Sequence, residues 1–255
     1  MTRVRLDRTS LVNCVGSISV AYSEKLVFDI GMHIGKDTRN YLRQGYNVVA
    51  LEASPIMVGL VETNFAAELE TGQLVIENVG ISDHVGQFTF YMNEYEPEWS
   101  SFHPSLGQRG SKVGGTFKEI PIECITLREL VDKHGIPYFL KIDIESFDVK
   151  VIRTLATLPD RPRYISSEEC GLVSMVALYE AGVRKFKFSN QEALQSDINP
   201  LTGEPYGNAC SGPFGEDLAG DWMDEYAAFN YYTGFIREGG KDPNHGWWDI
   251  HGKFD

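Results

Sequence analysis

Apolar residues fall along the chain in short runs, several with acids at or near their ends, separated by stretches of helical periodicity. The runs are LVFDI (26–30), NVVALE (47–52), QLVIENVGIS (73–82), IPIECI (120–125), YFLKIDIE (138–145), RYISSE (163–168) and KFKFS (185–189). Between them the pattern predicts helices over 37–44, over 55–69 after the Ser54-Pro55 cap, over 127–135 up to Gly135, over 147–157 and over 172–181. Strands alternating with helices of about 10–15 residues imply a doubly wound α/β domain whose sheet is mostly parallel, with helices on both faces. DHVGQFTFYMN (83–93) departs from that alternation and reads as a turn followed by a strand with one solvated face.

Residues 93–118 are too long and too rich in Gly and Pro for a plain connection, and carry Trp99, Phe102 and His103. They are expected to form a lid over a site. Residues 1–24 read as an N-terminal extension and 190–255 as an irregular C-terminal part ending in aromatic WWDIHGKFD. With no repeat, low-complexity tract or clear linker, a single domain is the expectation.

The most informative segment is VFDIGMHIGK (27–36), followed 23 positions after Asp29 by Glu52. A strand, a loop with Gly31 and Gly35, and a helix start carrying Thr38 form a cofactor loop. An acid at the tip of the next strand is placed to accept hydrogen bonds from ribose hydroxyls. A dinucleotide fingerprint would have glycine where Asp29 stands. A carboxylate there disfavours a diphosphate and favours a ligand carrying positive charge, such as the sulfonium and ammonium of S-adenosylmethionine.

Composition narrows the partners. Hydrophobic content of 42% and aromatic content of 12% fit a globular enzyme, and a net charge of −13 argues against nucleic acid, whose binding rests on Lys and Arg. A small-molecule acceptor follows by elimination. No run approaches the 18 or so apolar residues of a membrane span, so no membrane partner and a cytoplasmic location are expected. Cys14, Cys124, Cys170 and Cys210 have no metal-site spacing and read as reduced thiols. The oligomeric state is not legible.

Ligands of open α/β sheets bind beyond the carboxyl ends of the strands. Acids recur there: Asp29, Glu52, Asp83, Asp143 with Glu145, and Glu168 with Glu169. Lys141, Asp143 and Glu145 share one face if their strand persists. Such acids could relay a proton, fix an amine or ligate a divalent cation; a metal is neither indicated nor excluded. His33 inside the cofactor loop and His103 in the lid are candidate bases near neutral pH. His84 and His134 read as turn and helix-end residues.

FDIGMHIGKDT (28–38), ALEASP (50–55), NVGISD (78–83), EWSSF (98–102), LKIDIES (140–146) and ISSEE (165–169) together resemble the FkbM-type S-adenosylmethionine-dependent methyltransferases over residues 25–190. The resemblance implies a Rossmann-like class I methyltransferase fold. It places Asp29, Gly31 and Gly35 around the methionine part of the cofactor, Glu52 on the ribose, Ser82 and Asp83 near the adenine, and Asp143 by the transferred methyl. His33, Thr38, Ala53 and Ser101 are further candidates for cofactor binding. Candidates for the chemistry are Asp143, His33, Glu145 and His103. His33 and Ser146 depart from the family pattern, the latter standing where glycine usually follows KIDxE. SGPFGED (211–217) and WWDIHGK (247–253) also look like tail segments of some members. The reading is methyl transfer to an oxygen of a natural-product or sugar-like small molecule. The rivals are N-methylation, a nicotinamide-dependent oxidoreductase, and a cofactor-binding module without activity.

Overall fold

The computed structural model describes residues 21–207, 210–237 and 246–255. The expected N-terminal extension, with Cys14, lies mostly outside the described residues. The elements are β1 (Tyr22–Ile30), α1 (Lys36–Arg43), β2 (Asn47–Leu51), α2 (Pro55–Asn64), α3 (Ala66–Thr71), β3 (Leu74–Glu77), β4 (Gly80–Ser82), β5 (Gly86–Asn93), α4 (Pro104–Gly107), β6 (Phe117–Thr126), α5 (Leu127–His134) and β7 (Ile136–Ile142). They continue with α6 (Asp148–Thr154), β8 (Tyr164–Glu168), α7 (Leu172–Glu180), β9 (Lys185–Asn190), α8 (Gln191–Leu194), β10 (Met223–Asp224), α9 (Glu225–Tyr231) and β11 (Trp248–Lys253).

Eight strands form one sheet in the order β10-β9-β11-β8-β7-β1-β2-β3. The run from β8 to β3 is parallel, while β11 lies antiparallel between β8 and β9. This is a doubly wound arrangement: the chain leaves β1 for β2 on one side and returns to β7 on the other, and the crevice opens at that switch of direction.

Period-two alternation sorts the residues of β1 between two cores. Leu26, Phe28 and Ile30 pack with Leu140, Ile142 and Ile165 beneath α5, α6 and α7; Val27 packs with Val48, Ala50 and Phe139 beneath α1 and α2. Strands buried on both faces explain why β1, β2 and β7 read as near-continuous apolar runs.

Three expectations are corrected. The stretch 73–82 is two strands in different sheets, because β4 leaves β3 to join a separate three-stranded sheet with β6 and β5. The helix expected over 55–69 breaks at Phe65, whose ring is buried in the second core. The C-terminal part is not irregular throughout. β11 inserts into the main sheet, and its Gly252 is required by packing: a Cβ there would stand 2.8 Å from Val183 and 2.9 Å from Ile165.

Tail residues also replace a helix. The Phe214 ring stacks on Phe139 at 3.9 Å, and Gly215 and Leu218 carbonyls accept from Lys187. SGPFGED therefore caps the sheet face that α1 leaves open.

Candidate functional site

A cleft of about 1350 Å³, counted out to its mouth, opens beyond the carboxyl ends of β1, β2, β7 and β8. Its first wall is the loop after β1. Gly31 is left-handed at φ 85°, and its N–H and that of Met32 both donate to Leu51 O at 3.0 Å. A Cβ on Gly31 would stand 1.8 Å from Asp143 O, so only glycine lets this loop lie against the end of β7.

His33, at φ 49°, turns its N–H onto Glu52 Oε2 at 2.8 Å, while Ser54 N donates to Oε1 at 2.7 Å. Glu52 is thus a buried carboxylate fixed by two main-chain amides at the tip of β2. Burial raises its pKa and the two amides oppose that rise. About two of its four lone-pair sites remain for a ligand.

Behind this wall lies a buried ion cluster. Lys141 Nζ is 3.2 Å from Asp37 Oδ2, 3.2 Å from Asp143 Oδ2 and 3.7 Å from Asp29 Oδ1. Burial alone would lower the lysine, but Asp143, Asp37 and Asp29 hold it well above its ordinary value. Asp29 does not line the cleft. Alternation along β1 turns it to the sheet face, where Thr38 Oγ1 donates to it at 2.5 Å. Its charge faces Lys141 and Thr38.

The second wall begins where β7 ends. Asp143 N still donates to Ile30 O at 3.0 Å, after which Glu145 and Ser146 both turn left-handed, at φ 51° and 72°. Two β-substituted residues in that region store strain of roughly 1–3 kcal/mol each. The segment expected as a lid holds this turn. Ser101 Oγ donates to Glu145 O at 3.0 Å, and Arg109 Nη1 lies 3.5 Å from Glu145 Oε2. Burial first, then Asp143 and Glu98, raise Glu145 to about 7 against the pull of Arg109. Burial, which favours the uncharged ring, lowers His33, although Glu98 Oε1 lies 3.9 Å from its Nδ1.

Of the sequence-expected residues, Gly31, His33, Glu52, Ala53, Ser101, Asp143 and Glu145 line the cleft. Asp29, Gly35, Thr38, Ser82, Asp83 and His103 do not. Ser82 donates to Asp83, which also bonds exposed His84, and His103 pairs with Ser105 outside the cleft. Sequence reading did not single out Lys36, Asp37, Gln191, Ser211, Trp247 and Asp249 as site residues, yet all line the cleft. Glu168, noted only as a strand-end acid, joins them, and burial followed by Asp143 and Glu145 lifts its carboxyl to about 10. No group of His, Cys, Asp and Glu among the described residues has an arrangement that would hold a metal ion.

The methyltransferase FkbM domain model matches residues 29–186, more than half of the chain and the region that contains the first wall and β7. The chain belongs to the FkbM methyltransferase family. Similar solved structures include an FkbM methyltransferase from Methylobacillus flagellatus KT, 12% identical, with a TM-score of 0.37 over 60% of this chain and 35% of that one. A precorrin-6y C5,15-methyltransferase from Geobacter metallireducens GS-15 is 9% identical, with a TM-score of 0.38 over 91% and 80% of the two chains. An rRNA methylase from Streptococcus thermophilus is 11% identical, with a TM-score of 0.38 over 92% and 90%. The chain thus spans about a third of the FkbM structure it resembles. No curated protein matches it. Among the described residues no helix is long and apolar enough to cross a membrane.

Proposed function

We propose that this FkbM-family chain transfers the methyl group of S-adenosylmethionine to an oxygen of a small, hydroxyl-bearing molecule. The observation that carries the reading is Glu52, a buried carboxylate held by two amides and open to a cleft at the switch point of a class I sheet. Its free lone pairs suit a vicinal diol such as the ribose of a nucleoside. The acids of the second wall suit the positive charge of the rest of the cofactor. Family membership, rather than the charge of Asp29, separates this reading from a nicotinamide enzyme.

When bound, the cofactor would supply an electrophilic methyl on sulfur. The chain's part is then placement and proton handling. Orienting two reactants is worth several kcal/mol, up to roughly 7–11. A neutral His33 ring or the Glu145 carboxylate, both on the cleft wall, can take the acceptor proton as the new bond forms.

The test is incubation with S-adenosylmethionine labelled in its methyl group and a small-molecule extract, followed by mass spectrometry of the labelled product. Label in a methyl ether supports the proposal. Label on nitrogen replaces it with N-methylation, and label on RNA or no transfer overturns it.

A further inference from the structure

Part of the cleft wall is supplied by chain beyond the family match: Gln191 at the start of α8, Ser211, and Asp249 in β11 all line the cleft. Asp249 is 5% exposed, Gln191 6% and Ser211 8%. Gln191 Nε2 donates to Asp249 Oδ2, and Ser211 adjoins the same carboxylate. Ser211 is itself pinned, its N–H donating to Asp37 Oδ1 at 2.7 Å.

Three separate tail segments therefore meet at one carboxylate, which β11 carries and Gln191 holds. Its side-chain donor Gln191 is neutral, and Lys141, whose ion pairs are with Asp29, Asp37 and Asp143, acts on it through charge without pairing. A carboxylate that served only to tie the tail to the sheet would gain from a cation or from full enclosure. This one instead borders the cavity. Its cross-strand partner is Glu168, which also lines the cleft. When ionised, Asp249 only accepts, so the ligand group that suits this corner is a donor.

We propose that Asp249, oriented by Gln191, receives a hydrogen-bond donor of the methyl acceptor, a hydroxyl or an ammonium, and so sets acceptor specificity. The proposal rests on the methyltransferase reading above. It places acceptor choice in the C-terminal segments and cofactor binding in the matched domain.

The experiment uses the full chain saturated with S-adenosylhomocysteine and three small probes in ligand-observed saturation-transfer NMR: ethanolamine, ethylene glycol and acetate. Ethanolamine or ethylene glycol should show saturation that falls at least fivefold in Asp249→Asn, and acetate should show none. The stronger of the first two tells ammonium from hydroxyl. Affinity for S-adenosylhomocysteine should stay within twofold in the variant. If Asp249→Asn does not fold, Gln191→Leu, which frees the carboxylate to swing, should lower the same signal. Equal saturation in wild type and variant, no preference for donors over acetate, or a large loss of S-adenosylhomocysteine affinity overturns the proposal. Failure of the wild type to bind S-adenosylhomocysteine would instead overturn the methyltransferase reading.

Discussion

Gly31 and Ser146 stand on either side of the same junction and carry opposite expectations. Gly31→Ala adds a Cβ 1.8 Å from a carbonyl oxygen at φ 85°, so backbone strain and overpacking act together. It should cost about 2–5 kcal/mol and be read as a lowered denaturation midpoint. Ser146→Gly removes a left-handed penalty of roughly 1–2 kcal/mol and adds unfolded-chain entropy of roughly 0.5–1 kcal/mol. It should raise stability slightly; a lowered midpoint would show that the turn is not strained. These residues also show what the sequence reveals at this scale. The glycine at 31 and the absent glycine at 146 are legible because a missing or added Cβ has a fixed steric meaning. Asp29 is not, because whether a strand-end acid faces a ligand or the sheet depends on which face the period-two alternation buries.

The segment 93–116 shows the same division among elements. Its length and glycines mark it as more than a connection, and it does reach the site through Ser101 and Arg109. His103, the more conspicuous residue, stays outside. Without ligand, limited proteolysis should cut near Gly110–Gly115, and S-adenosylhomocysteine should slow it. Arg109→Gln, which unlatches the segment from Glu145, should weaken that protection, whereas equal cleavage with and without ligand would make the segment a plain excursion. The tail was illegible for a different reason. β11 follows a long stretch without periodicity, and its partners β8 and β9 lie about 60–85 residues back, a pairing that only tertiary packing discloses. Phe214, stacked on Phe139, anchors that tail, and Phe214→Ala should cost about 3–5 kcal/mol in denaturant unfolding.

For the whole molecule, the buried acids make stability fall as pH rises. Glu145 and Asp249 are raised to about 7 and Glu168 to about 10, so each is more readily protonated folded than unfolded. Their contribution is complete below the ordinary carboxyl range and is lost as pH climbs to about 7 and, for Glu168, to about 10. His251 acts the other way. Buried without charge and lowered to about 3, it contributes stability above its ordinary value that is lost as pH falls toward 3. The ligand-free protein should therefore melt several degrees lower at pH 8.5 than at pH 5.5, and Glu168→Gln should flatten that difference. A higher midpoint at pH 8.5 would mean that the acids are paired in a way the cleft does not show.

The role of Glu52 as cofactor anchor is tested most directly by calorimetric titration of wild type and Glu52→Ala with S-adenosylmethionine, with NAD as the comparison. Wild type should bind S-adenosylmethionine at micromolar level, about −8 kcal/mol, with Glu52→Ala at least tenfold weaker and no heat from NAD. Equal affinity in the two proteins, or preferential binding of NAD, would contradict it.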